Sequence, residues 1–148
     1  MSIYVHKSHN VTILLYHLVF PTKYRRLVID DTVDKIIRDI CLEIGKRYEI
    51  HFVEIGTDKD HVHFLVQSVP ILTVTRIVTI IKSMTARHVL AKIPELKKEL
   101  WGANPWTSGY YASTVGKHGN EKAIANYVKE QGRESEYVQI HKDQLRLL

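Results

Sequence analysis

Residues 50–67 read IHFVEIGTDKDHVHFLVQ, two short apolar runs on either side of a polar tetrapeptide. Runs rich in Val, Ile and Phe interrupted by TDKD make a hairpin, with strands expected at 50–56 and 61–67. A hairpin this tight requires antiparallel pairing. Upstream, VTILLYHLVF (11–20) is another strand, closed by Pro21 and followed by the basic loop PTKYRR (21–26). Between the loop and the hairpin, Asp30 or Asp31 can cap a helix. Its apolar positions Val33, Ile36, Ile37, Ile40, Cys41, Ile44 and Tyr48 recur at three and four residues and so share one face.

Downstream of the hairpin the periodicity is again helical. From Leu72 to about Ala91, Val74, Ile77, Val78, Ile81 and Met84 fall on one side, and Arg76, Thr79, Ser83 and Arg87 on the other, a face open to water or to a nucleic-acid backbone. A short helix or turn after Pro94 runs through Trp101, GANP turns the chain, and 110–115 is a strand before Gly116 and Gly119. A last helix is expected within about 120–133, with 134–148 as a C-terminal tail. The order strand, helix, strand, strand, helix, strand, helix is the split βαβ pattern. It predicts an α+β, ferredoxin-like (RRM-like) antiparallel sheet with helices on one face and an added C-terminal helix. At 148 residues, with no repeat or Pro/Gly-rich linker, the chain 1–148 reads as a single domain.

The formal net charge of +5 favours an anionic partner. The charge is also unevenly placed. Residues 1–29 hold Lys7, Lys23, Arg25 and Arg26 without a carboxylate, and the stretch between Asp60 and Glu95 holds Arg76, Lys82, Arg87 and Lys92 without one. Cationic elements of this kind suit a phosphate-tracking surface, as they also suit a solvated face. The single cysteine, Cys41, excludes an intrachain disulfide and reads as a buried thiol in a reducing compartment. The apolar run at 11–20 is too short to span a bilayer and lacks a cleavage site after it, so a cytoplasmic protein with no membrane association is expected. Neither G-x-x-x-x-G-K-[ST] nor G-x-G-x-x-G occurs, which disfavours a nucleotide cofactor.

His61 and His63 project from one face of their strand, side by side, which is half of a divalent-metal site. With nine histidines in the chain, roughly half an H-x-H is expected by chance, so two surface histidines would explain the spacing alone. In the last helix Tyr127 and Gln131 lie four apart on one face, offering a phenol and an amide carbonyl; Ala123, Ile124 and Val128 equally allow Tyr127 to be a core residue. His17, His51, His88 and His118 lack a paired spacing, and His88 falls on the apolar side of its helix. Trp106, Tyr110 and Tyr111 can be read as core aromatics or as platforms for bases.

Three segments in order, TDKDHVHFLV, LW followed by STVG, and IANYVKEQ, together with the YRR after the first strand, resemble the single-tyrosine HUH transposases of the insertion sequence 200/605 family. The resemblance runs from about Asn10 to Gln131; GANPW has no clear counterpart in it. It implies that His61 and His63 are metal ligands with Gln131, that Tyr127 is the nucleophile, and that Mg²⁺ or Mn²⁺ is the cofactor. It further implies a metal-dependent single-strand DNA endonuclease and strand transferase that acts on hairpins at element ends. The family works as a homodimer in which active sites can be shared between subunits. Lys23, Arg25, Arg26, Arg76 and Arg87 are the expected DNA contacts. The competing expectations are a non-catalytic ferredoxin-like nucleic-acid-binding module, a domesticated relative, and a hydrolase of small phosphoesters. Against the binding module, HVHFLV places histidines where an RNA-recognition sheet needs exposed aromatics.

Overall fold

The computed structural model describes residues 5–7, 10–99, 104–115 and 137–139. In chain order they form β1 (Val5–Lys7), β2 (Asn10–Thr12), β3 (Leu14–Pro21), α1 (Asp31–Arg47), β4 (His51–Asp58), β5 (His61–Ser68), α2 (Val74–Lys92), α3 (Leu96–Glu99), β6 (Tyr111–Val115) and β7 (Tyr137–Gln139). The main sheet has the order β6-β3-β5-β4-β7, and every pairing in it is antiparallel. Its first four strands have the ferredoxin-like order, with the β4–β5 hairpin closed by a two-residue turn at Lys59 and Asp60.

Two details differ from the sequence pattern. The run at 11–20 is broken at Ile13, so Asn10–Thr12 pairs with β1 in a separate two-stranded sheet while Leu14–Pro21 enters the main one. Tyr137–Gln139, within the segment read as a tail, pairs with β4 at the sheet's edge.

Alternation divides the sheet between two environments. Leu18 and Phe20 of β3, Phe52 and Ile55 of β4, and Val62, Phe64 and Val66 of β5 join the apolar sides of α1 and α2 in the main core. The opposite face carries a smaller cluster of Leu15, Val53, Leu65 and Val115. Both long helices begin at side-chain caps that accept a backbone N–H: Asp30 from Val33 at 2.9 Å, and Thr73 from Arg76 at 3.1 Å. Cys41 is fully buried on α1, and burial pushes its thiol pKa up, as expected of a packing cysteine. Among the described residues no helix is long and apolar enough to cross a membrane.

Candidate active site

The register of β5 decides which side the histidines face. His61 and His63 alternate with Val62 and Phe64, so they project from the sheet face opposite α1 and α2. Their ring centroids are 4.6 Å apart with the planes nearly perpendicular. His61 pairs across the ladders with Asp58 and Pro21, and His63 with Gly56 and Val19. Two of those four neighbours are proline and glycine, which keeps bulky side chains away from the pair.

The two imidazoles are held differently. His61 Nδ1 lies 2.6 Å from Asp60 Oδ1, and Asp60 in turn takes Arg25 Nε at 3.0 Å and Nη2 at 2.9 Å on its other oxygen. Burial would raise the Asp60 pKa, but hydrogen bonds from His61 and Arg25, with their charges, bring it below the ordinary value. His63 is almost wholly buried, and among the described residues neither of its ring nitrogens has a hydrogen-bond partner. Burial, reinforced by the charges of His61 and His17, lowers its pKa to about 3, so it is neutral at physiological pH.

A third imidazole stands close by. His17, on β3, is buried and lies nearly parallel to His63 with centroids 5.8 Å apart; burial lowers its pKa as well. Tyr111 of β6 meets the edge of His17 at 5.8 Å and is half exposed. The sequence pattern did not single out His17, because its proximity depends on strand register rather than on spacing along the chain. The Asp60 contact carried a signal in the adjacent Asp-His pair at a hairpin turn. Among the described residues no three His, Cys, Asp or Glu side chains assemble into a metal-holding group, so the His61–His63 pair alone offers half of such a site.

The basic loop is tied to this end of the sheet. Thr22 is buried; its N–H donates to the Asp60 carbonyl at 2.8 Å, and its hydroxyl lies 2.7 Å from the Arg26 carbonyl and 3.1 Å from that of Asp60. Lys23 N–H donates to Pro105, and Thr107 N–H to Pro21, so the segment after Asn104 flanks the loop on its other side. Tyr24 and Arg25 both adopt left-handed backbone, with φ of 57° and 53°. Arg25 is turned towards Asp60, while Lys23, Tyr24 and Arg26 are at least partly open to solvent.

Other candidates fall elsewhere. Arg76 and Arg87 are exposed on α2, on the helical side of the sheet, and are not brought together with the histidines. Trp106 is a core residue: its indole N–H donates to Thr85 Oγ1 at 2.9 Å and its ring meets Phe20. His88 is half-buried, with Nδ1 2.9 Å from the Met84 carbonyl. Tyr110 is exposed and lies under the Lys82 ammonium, which also donates to the carbonyls of Thr107 and Gly109. Tyr127, Gln131 and His118 lie outside the described residues.

A histidine pair on the face of a ferredoxin-like sheet opposite its helices narrows the field, and similarity to known proteins completes the assignment. A family model described as transposase IS200 like matches residues 10–131. The chain belongs to the IS200-like transposase family. Among its relatives, the ISDra2 transposase TnpA of Deinococcus radiodurans is 30% identical over 118 residues, covering 80% of this chain and 84% of that protein. The transposase for insertion sequence element IS200 of Salmonella typhimurium is 28% identical over 116 residues, covering 78% and 75%. A crystal structure of a candidate transposase from Deinococcus radiodurans superposes with a TM-score of 0.64 at 31% identity, covering 86% of this chain and 98% of that one. A REP-associated tyrosine transposase bound to a REP hairpin shares the fold, with a TM-score of 0.51 at 11% identity over 87% of this chain and 69% of its own. Membership in the IS200-like family makes the chain a DNA-processing enzyme of insertion sequences.

Proposed function

We propose that this IS200-like transposase cleaves and rejoins single-stranded DNA through Tyr127, with a divalent metal held by His61, His63 and Gln131. The observation that carries the reading is His63. Among the described residues both nitrogens of this buried imidazole lack a hydrogen-bond partner, which is costly, and an ion bound to one of them would remove part of that cost. Its neutral state leaves a lone pair available without a proton having to depart. The residues present therefore fit a metal, with two imidazole nitrogens from β5 and the Gln131 amide oxygen as the third donor. Mg²⁺ or Mn²⁺ suits the amide and phosphate oxygens that would complete its shell.

When bound, the metal supplies Lewis-acid stabilisation of charge on the phosphate oxygens. Tyr127 supplies the nucleophile: its phenolate oxygen bonds to phosphorus, and the bond to the 3′-oxygen breaks. The products are a 5′-phosphotyrosine link and a free 3′-hydroxyl. Because one phosphoester replaces another, a second 3′-hydroxyl can attack the link, release Tyr127 and join new ends without ATP. Hairpin-bearing single strands at the element's ends are the proposed substrate. A homodimer that shares its active sites is the proposed assembly.

The test is direct. Incubated with its own element ends and Mg²⁺ or Mn²⁺, the protein is expected to form a denaturation-resistant covalent DNA adduct. Chelation and Tyr127→Phe should each abolish it. An adduct that persists in Tyr127→Phe rules out the assignment of the nucleophile. DNA binding without cleavage, indifferent to chelation, would instead favour a non-catalytic module.

A further inference from the structure

The metal reading gives His61 and His63 equal standing, yet among the described residues only His61 has a charged partner. We propose that Asp60 and Arg25 are positioning residues for the metal ligand His61, and that the basic loop after β3 exists in part to hold them there. The inference rests on the metal reading above and adds to it residues that do not themselves ligate the metal.

The two oxygens of Asp60 are divided between partners. Oδ1 lies 2.6 Å from His61 Nδ1, while Oδ2 takes both Arg25 Nε and Nη2. A carboxylate has no proton to give, so Nδ1 is the donor in the first contact and the tautomer of His61 is fixed. The nitrogen that ligates is then Nε2, and the ring plane is set by Asp60. A carboxylate on the far nitrogen also makes an imidazole a stronger donor to a metal. Arg25, a permanent cation with a planar fork, holds Asp60 in place from the other side.

The backbone supports the same conclusion. Asp60 sits in a two-residue turn, and its carbonyl is fastened by the Thr22 N–H, with the Thr22 hydroxyl also within reach. Ile29 N–H donates to the carbonyl of Lys59, the other residue of that turn. The loop from Thr22 to Ile29 is thus attached to the turn at both ends. Between those attachments Tyr24 and Arg25 occupy left-handed backbone, a conformation unfavourable for residues with side chains. It is maintained where the Arg25 guanidinium meets Asp60.

Two measurements on the full chain test the proposal: Mn²⁺ affinity by titration of the free-ion spin-resonance signal, and the His61 tautomer by nitrogen NMR in the metal-free protein. Asp60→Ala is expected to weaken Mn²⁺ binding by roughly 10- to 100-fold and to release His61 from the Nδ1–H form. Asp60→Asn, which keeps an acceptor oxygen and the shape of the turn, should retain that tautomer and recover part of the affinity. Arg25→Ala should weaken binding less than Asp60→Ala, and Arg25→Lys less again. Wild-type affinity and an unchanged tautomer in Asp60→Ala would overturn the proposal while leaving the metal reading intact. Failure of wild type to take up Mn²⁺, or undiminished uptake by His63→Ala, would overturn the metal reading and the proposal with it.

Discussion

Leaving a buried polar group without a partner costs about 1–3 kcal/mol, and among the described residues His63 has none. Its proposed role as a metal ligand and the stability of the metal-free fold therefore pull in opposite directions. His63→Leu, close to it in size and apolar, should abolish Mn²⁺ binding yet raise the thermal midpoint of the metal-free protein by a few degrees, as read by calorimetry. The pH dependence has a definite sign. Burial, then the charges of His61 and His17, holds His63 at about 3 against an ordinary 6.5. Between those values the unfolded chain binds a proton here that the native chain does not. Stability from this residue is therefore complete above about pH 6.5 and declines as pH falls towards 3. Denaturant titrations should show a steeper acid loss for metal-free wild type than for His63→Leu, and parallel profiles would contradict the account. The spacing H-x-H was legible in the sequence because strand alternation alone puts both rings on one side. The contrast between a tethered His61 and a His63 with no partner among the described residues was legible only in the adjacent Asp60–His61 pair; the Arg25 that holds Asp60 lies 35 positions away and was not.

At the scale of elements, the loop after β3 connects more than two secondary structures. Thr22 closes it from inside, with one hydroxyl proton serving the carbonyls of Arg26 and Asp60. Thr22→Val keeps the shape and removes that donor, at a cost of about 1–2 kcal/mol where the carbonyls are shielded from water. Because the Asp60 turn is one of the two attachments, Mn²⁺ affinity should fall together with stability in equilibrium unfolding. A loss of stability with unchanged affinity would confine Thr22 to a structural role. The elements themselves were largely readable: α1 and α2 have apolar residues at helical spacing, α1 with a capping Asp30, and β4–β5 has a polar turn between apolar runs. The short strands β1, β2 and β7 were not, because three residues carry no measurable periodicity. Nor was the path of the basic loop. Residue types argue against left-handed backbone at Tyr24 and Arg25, and only the interactions made on folding select it.

For the whole molecule, the sheet acts as a partition. The histidines, the Asp60 turn and Tyr111 are on or beside one face, while the main core and α2 occupy the other, so the cations of the basic loop and those of α2 lie on separate surfaces. Arg76 and Arg87 are exposed on α2, and a helix roughly 10 Å across lies between such a surface and the sheet. That thickness matches the Debye length of about 8–10 Å at physiological salt, so these charges are largely screened from a strand at the histidines. Lys23 and Arg26, on the loop attached to the Asp60 turn, are not separated from it in this way. For a short single strand spanning only the cleavage site, Lys23→Ala with Arg26→Ala should reduce the slope of log affinity against log salt by about 0.7 for each phosphate that is no longer neutralised. Arg76→Ala with Arg87→Ala should leave that slope unchanged, and Mn²⁺ affinity without DNA should be unaffected in both double variants. A reduced slope in the helix pair alone would place the strand on the helical layer, where it could not reach His61 and His63, and would separate DNA binding from the proposed catalytic face.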